Sequence, residues 1–208
     1  MNAAGPECRA QGHHTLAGLR SHLSEDILRF LNKSPENQAA GDNLKSRLGA
    51  FLTPQLLCLF LYRIAHCLYA NRHRRMANIV SHFNFLVHKV NLPPESCIGS
   101  GCMVPHPAGV TFRGRAGRGL TLYALTVCCP LEPPFEAGSG KAVAAAPRLG
   151  NNVAMGGHTI ALGPIEVGDD TRLVFGLILK RDAPAGVLVI TPAIRNTMRA
   201  RSTARPAQ

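Results

Sequence analysis

"LPPESCIGSGCMVPHPAGVTFRGRAGRGLTLYALTVC" spans residues 92–128. Every sixth residue from its first is Leu92, Ile98, Val104, Val110, Ala116, Leu122 and Cys128, and each is apolar. The beat stops in "CPLEPPFEAGSGKAVAAA" (129–146) and resumes as Leu149, Met155, Ala161, Val167, Leu173 and Leu179. A glycine often follows the periodic residue, as at Gly99, Gly150, Gly156 and Gly168. Six is neither the 3.6 period of a helix nor the alternation of two expected of a sandwich strand. It is the period of a parallel β-helix, in which three hexads make one triangular coil and each periodic side chain points into the prism. Hexapeptide coils of this kind wind left-handed, against the usual crossover hand.

Composition agrees with a core of stacked aliphatics. Trp is absent and aromatics are 5% of the 208 residues, while hydrophobic residues reach 46%, enough for a real core. The net charge of +11 favours anionic partners. Arg72, Arg74 and Arg75 cluster together, and Arg195, Arg199, Arg201 and Arg205 crowd a basic tail over 195–208. Aromatics interleaved with the basic residues, as base stacking needs, are missing, so nucleic acid is not expected as a partner. The seven cysteines show no CxxC spacing, which predicts reduced thiols in the cytoplasm, no disulfide framework and no metal. No secretory signal is visible, and "QLLCLFLY" (55–62) is too short to span a membrane.

The chain before the coils reads as helical. Residues 1–20 suggest a flexible leader, and 21–91 an α-helical region. A first helix is expected over 21–34, with Ser24 as N-cap and Glu25 and Asp26 at its positive end. Thr53-Pro54 opens a second, with Leu56, Leu57, Phe60, Ile64, Cys67 and Leu68 on one face. A third covers about 74–90, with Met76, Ile79, Val80, Phe83, Leu86, Val87 and Val90. Both faces read as ordinary buried faces. The fold class is therefore mainly β with an α-helical N-terminal region, the β-helix occupying 92–194 with a loop at 129–146.

His106 stands between Pro105 and Pro107. The prolines fix φ on either side and push the preceding residues extended, so they hold the chain path on which the imidazole is mounted. From about residue 56 to 194 the chain resembles the serine acetyltransferase branch of the hexapeptide-repeat acyltransferases. The resemblance rests on "YRIAHCLYANRHRRMANIVSHFNFLVHKV", "LPPESCIGSGCMVPHPAGVTF", "LGNNVAMGGHTIALGPIEVGDD" and "LKRDAPAGVLVITPAIR". It implies acetyl-CoA as co-substrate, L-serine as acceptor, O-acetylserine as product, and a homotrimer or larger assembly with its cleft between subunits. It also implies His106 as the general base, a role imidazole suits near neutral pH. Gly157 and Gly176 fall where small residues line the cleft, and Lys180 and Arg181 where cations meet the nucleotide phosphates.

Several positions depart from that pattern. The acid that precedes the family's histidine is Pro105 here, so His106 must be oriented by Glu95, Glu132, Glu136 or a backbone carbonyl. The residues that help hold the serine carboxylate fall on Ala145 and Ala146, before Pro147, and Val174 and Phe175 replace small residues of the cleft. These changes leave a sugar or polysaccharide hydroxyl as an alternative acceptor, and a non-catalytic assembly protein as a second alternative. His158 reads as a surface or subunit-contact residue, Cys128 as core, and "GSGK" (138–141) lacks the spacing of a phosphate loop.

Overall fold

The sixfold beat is realised as stacked coils in the computed structural model, which describes residues 12–33, 53–130 and 146–190. Three parallel sheets of two- and three-residue strands form the faces of a prism. Face I stacks β1 (Cys97–Ile98), β3 (Arg115–Ala116), β6 (Arg148–Leu149) and β9 (Glu166–Val167). Face II stacks β4 (Thr121–Leu122), β7 (Ala154–Met155), β10 (Arg172–Leu173) and β12 (Leu188–Val189). Face III stacks β2 (Thr111–Phe112), β5 (Val127–Cys129), β8 (Ile160–Leu162) and β11 (Ile178–Leu179). Cys97 pairs with Arg115 and Arg148 with Glu166, in each case 18 residues on, so one coil is three hexads. Arg115 pairs with Arg148, 33 residues on, and the excess is the insertion that the broken beat had located.

Every periodic position read from the sequence points inward, none more than 5% exposed. Main-chain groups pair with the coils above and below, so the stacked side chains carry no burden beyond filling the prism. The beat slips once. Phe112, not Val110, stands opposite Cys128, 16 residues away, although both Val110 and Phe112 are buried. Val104 and Phe112 are thus eight residues apart, and the surplus length pushes out the corner at residues 105–109. Left-handed turns mark the corner between faces I and II at Gly101, Gly119, Asn152, Asp170 and Gly186, with φ from 56° to 74°. Asn and Asp tolerate that conformation best after glycine. Asn152 Nδ2 donates to Asp170 Oδ1 (3.1 Å) and Asn151 Nδ2 to Asp169 Oδ2 (3.1 Å), tying successive coils.

Three helices lead into the prism: α1 (Leu16–Lys33), α2 (Pro54–Ala70) and α3 (Arg74–His88). The first begins earlier than expected. Thr15 caps it, its Oγ1 accepting from the Gly18 N–H at 2.9 Å, whereas Ser24 is mid-helix and donates back to the Arg20 carbonyl. The buried faces also differ from the apolar stripes of the sequence. On α2 the buried residues include Tyr62, Arg63 and His66, while Leu57, Phe60 and Ile64 are only half-buried. On α3, Met76, Ile79, Phe83, Leu86 and Val87 are exposed, and Ala77, Asn84 and His88 are buried. The reason is that these helices dock on main chain. Tyr62 Oη donates to Ser96 O (2.8 Å), Arg63 Nη2 to Gly99 O (2.7 Å), and Asn84 Nδ2 to Cys58 O (2.9 Å). Arg63 also forks onto Asp26 of α1 (Nε to Oδ2, 3.0 Å), whose Oδ1 accepts from the Cys102 N–H at 2.7 Å. Polar side chains face inward because coil carbonyls and amides need partners there.

Candidate active site on a prism edge

His106 sits on the corner that the register slip displaces, between faces II and III. Val104 and Val110 anchor its ends in the core, and the segment between them bends outward. The Gly109 N–H donates to Lys89 O (2.9 Å), and the Leu125 N–H donates to Ala108 O (3.2 Å), fastening the corner to helix and next coil. Gly109 takes φ +72°, and a Cβ there would strike the Leu125 side chain at 2.3 Å. The imidazole is exposed, with no hydrogen bond to another described residue. Glu95 does not orient it: that carboxylate faces Arg113, 3.5 Å away. Glu132 and Glu136 lie outside the described residues, as do Ala145 and the basic tail.

The same edge carries Gly157 and Gly176. The His158 N–H donates to Ala124 O (3.0 Å) and the Gly176 N–H to Gly157 O (3.0 Å), continuing the ladder that begins at Ala108 and Leu125. Gly176, at φ +72°, has open space where a Cβ would stand. Gly157 is narrower, since a Cβ there would lie 3.3 Å from the Phe175 ring. Phe175 is 69% exposed and its ring lies 5.0 Å from that of His158. The sequence reading treated these two residues separately and missed the pair, because 158 and 175 meet only when coils stack. Lys180 and Arg181 follow β11 and turn the next corner, at the far end of that strand from Gly176. Both are exposed and neither forms an ion pair among the described residues. Ala146 is buried, and its side chain offers no group to a carboxylate.

The cysteines divide. Cys128 points into the core, where burial pushes its thiol up and leaves it unreactive. Cys58, Cys67, Cys102 and Cys129 are also free. Cys97 corrects the expectation of uniformly reduced thiols, for it is disulfide-bonded. Sequence spacing had no means of showing this, because the pairing is made by tertiary contact. A groove of about 630 Å³ on face I, lined by Arg148, Glu166, Asp169 and Asp182, lies away from His106.

Hexad coils closed into a parallel prism, with an exposed histidine on a displaced corner above two glycines, define a hexapeptide-repeat protein of the acyltransferase class, wound left-handed. No family model matches the chain. The serine acetyltransferase of Helicobacter pylori strain J99 is 30% identical over 168 residues, covering 79% of this chain and 90% of that protein. That of Synechococcus elongatus is 29% identical over 138 residues, 66% of this chain but only 54% of that longer protein. Among solved structures, Neisseria gonorrhoeae serine acetyltransferase superimposes with a TM-score of 0.72 at 19% identity, over 99% of this chain and 77% of that one. Soybean serine acetyltransferase complexed with serine gives 0.68 at 20% identity, over 80% and 64%. The chain belongs to the serine acetyltransferase family.

Proposed function

We propose that this protein transfers the acetyl group of acetyl-CoA to the hydroxyl of L-serine, giving O-acetylserine and supplying cysteine biosynthesis, with His106 as general base. The observation that carries the assignment to His106 is its placement. It is an exposed imidazole on a corner held out of register between two prolines, above the edge that bears Gly157 and Gly176. Its ring takes the proton of the acceptor hydroxyl as that oxygen attacks the thioester carbon. The thioester C–S bond then breaks, and the departing sulfur takes the proton back from the imidazolium. Backbone N–H groups of the corner are the natural donors to the intermediate oxyanion. Gly176 leaves room for the pantetheine arm, and Lys180 and Arg181 meet the nucleotide phosphates.

The site as the single chain presents it is open on one side. The exposed apolar faces of α2 and α3 supply the surface for a homotrimer or larger set, whose neighbouring subunit closes the cleft. No helix among the described residues is long and apolar enough to cross a membrane, and the free thiols suit the cytoplasm.

The test is thiol release from acetyl-CoA with L-serine as acceptor. His106→Ala is expected to lower turnover by about 10²–10⁴-fold while the unfolding midpoint stays in place. Undiminished turnover in that variant would remove His106 from the reaction, and a calorimetric titration showing no CoA binding would remove the activity. One observation favours a second acceptor. Buried Ala146 and the proline at 105 leave the amino-acid carboxylate without its expected partners, so a panel of sugars belongs in the same assay. Release with sugars alone would replace serine by a carbohydrate hydroxyl.

A further inference from the structure

Where α1, α2 and the first coil meet, three buried side chains converge away from the His106 edge. They are His13 in the turn before α1, His66 on α2 and Cys97 at the start of β1, each 4% exposed or less. One ligand-capable atom from each lies within 4.8 Å of the others. The His13 and His66 rings stand edge-on at 4.7 Å, and the His22 ring lies 4.3 Å from His13. The proposed acetyl transfer uses none of these groups.

The hydrogen bonding of His66 states what the cluster is shaped to do. Its Nδ1 lies 2.7 Å from the Pro94 carbonyl, which only accepts, so Nδ1 carries the proton. The tautomer is thereby set, and Nε2 is left with a bare lone pair. That nitrogen is buried and has no hydrogen-bond partner. A buried acceptor without a donor costs stability unless something else fills the lone pair. An imidazole oriented by a carbonyl at one nitrogen, and bare at the other, is the usual state of a metal-bound histidine. Burial also keeps His13 and His66 in the neutral, ligating form, with pKa values pushed down to about 2 and about 4.

We infer that His13, His66 and Cys97 form a binding site for a zinc-class divalent cation that operates when Cys97 is reduced. In the structure Cys97 is disulfide-bonded, and its sulfur is committed elsewhere. A dithiol reductant opens that bond with two electrons and two protons. The S–S bond becomes two thiols while the reductant becomes a disulfide. The cation then displaces the proton from Cys97 Sγ and takes the thiolate with the two imidazoles. Tetrahedral bonds of about 2.0–2.3 Å place such ligand atoms roughly 3.3–3.8 Å apart, which the cluster reaches by small side-chain rotations. The charge of nearby Arg63 is answered by Asp26 at 3.0 Å, so the site gains an anion, the thiolate, without a competing free cation. The site joins the turn before α1 to α2 and β1, and it exchanges one cross-link, the disulfide, for another.

The test uses the full chain, reduced with a phosphine that does not itself hold metal and compared with the oxidised chain. The phosphine takes the oxygen of water as the disulfide opens. Titration with Co²⁺ is expected to bind one equivalent per reduced chain, with a sulfur-to-cobalt charge-transfer band that Zn²⁺ then abolishes. The oxidised chain gives no such band. His66→Gln and Cys97→Ser are each expected to weaken binding at least tenfold. Should either variant fold poorly, the wild-type chain still decides the matter. Zn²⁺ is expected to slow alkylation of reduced Cys97 at least tenfold, read by mass spectrometry, while Cys129 alkylates at an unchanged rate. A reduced chain that binds no stoichiometric cobalt, or whose Cys97 alkylates equally fast with and without Zn²⁺, overturns the inference. Acetyl transfer is no part of these readouts, so the two proposals fail separately.

Discussion

At the residue scale the chain separates a reactive group from inert ones by where the corners fall. His106 is placed outside the sixfold register, whereas Cys102 and Cys128 are locked within it. Burial pushes the Cys102 thiol up to about 12 from an ordinary value of 9.0, and pushes Cys58 and Cys128 up too. The folded chain therefore holds these protons more tightly than the unfolded chain does. The stability this represents is whole below pH 9 and is lost as pH rises from there towards 12. Urea unfolding followed from pH 8 upward is expected to show stability falling by about 1.4 kcal/mol per pH unit for each such thiol. Native alkylation at pH 9 is expected to mark Cys129 and spare Cys102 and Cys128. Rapid labelling of Cys128 in the native state would contradict its place in the core.

At the scale of elements, the helices are fastened to the prism by a few polar contacts instead of by their apolar faces. Arg63 is the centre of that attachment, reaching Asp26, Ile98 O and Gly99 O from a position 2% exposed. Removing one partner of such a pair strands a buried charge. Arg63→Ala is expected to destabilise the fold by about 3–5 kcal/mol, read from the urea midpoint. Arg63→Lys is expected to recover little, because an ammonium lacks the planar fork. The cap is a milder lever: Thr15→Ala removes the acceptor for the Gly18 N–H and is expected to cost about 1 kcal/mol. Equal stability of Arg63→Ala and the wild type would show that α1 and α2 dock by some other contact.

At the scale of the molecule, apolar surface is left over. Met76, Ile79, Phe83 and Leu86 line one side of α3, more than half exposed, beside the half-buried Leu57, Phe60 and Ile64 of α2. A stripe of this kind on a chain that belongs to an acyltransferase family with inter-subunit clefts is best satisfied by further copies of the chain. Sedimentation is expected to show an assembly larger than one 22.3 kDa chain. Ile79→Asp with Phe83→Asp is expected to reduce its size while leaving the circular dichroism of the coils unchanged. A wild-type chain that sediments alone at micromolar concentration would leave the open side of the His106 edge uncovered.

The prism was legible from residues alone because its rule is local. One inward side chain every six residues, with small residues at corners, is written in a single line of sequence and repeats in every coil. Even the insertion between β5 and β6 could be located, since it interrupts the beat. His106 was also legible, through its two prolines. The helical faces were not: periodicity found the apolar stripes of α2 and α3, but the inward sides are set by where coil carbonyls lie, and those exist only once the prism has formed. The Phe175–His158 pair, the disulfide at Cys97 and the meeting of Cys97 with His13 and His66 were hidden for the same reason. They join residues far apart in the chain, and no spacing records a contact that only the stacking of coils and the docking of helices creates.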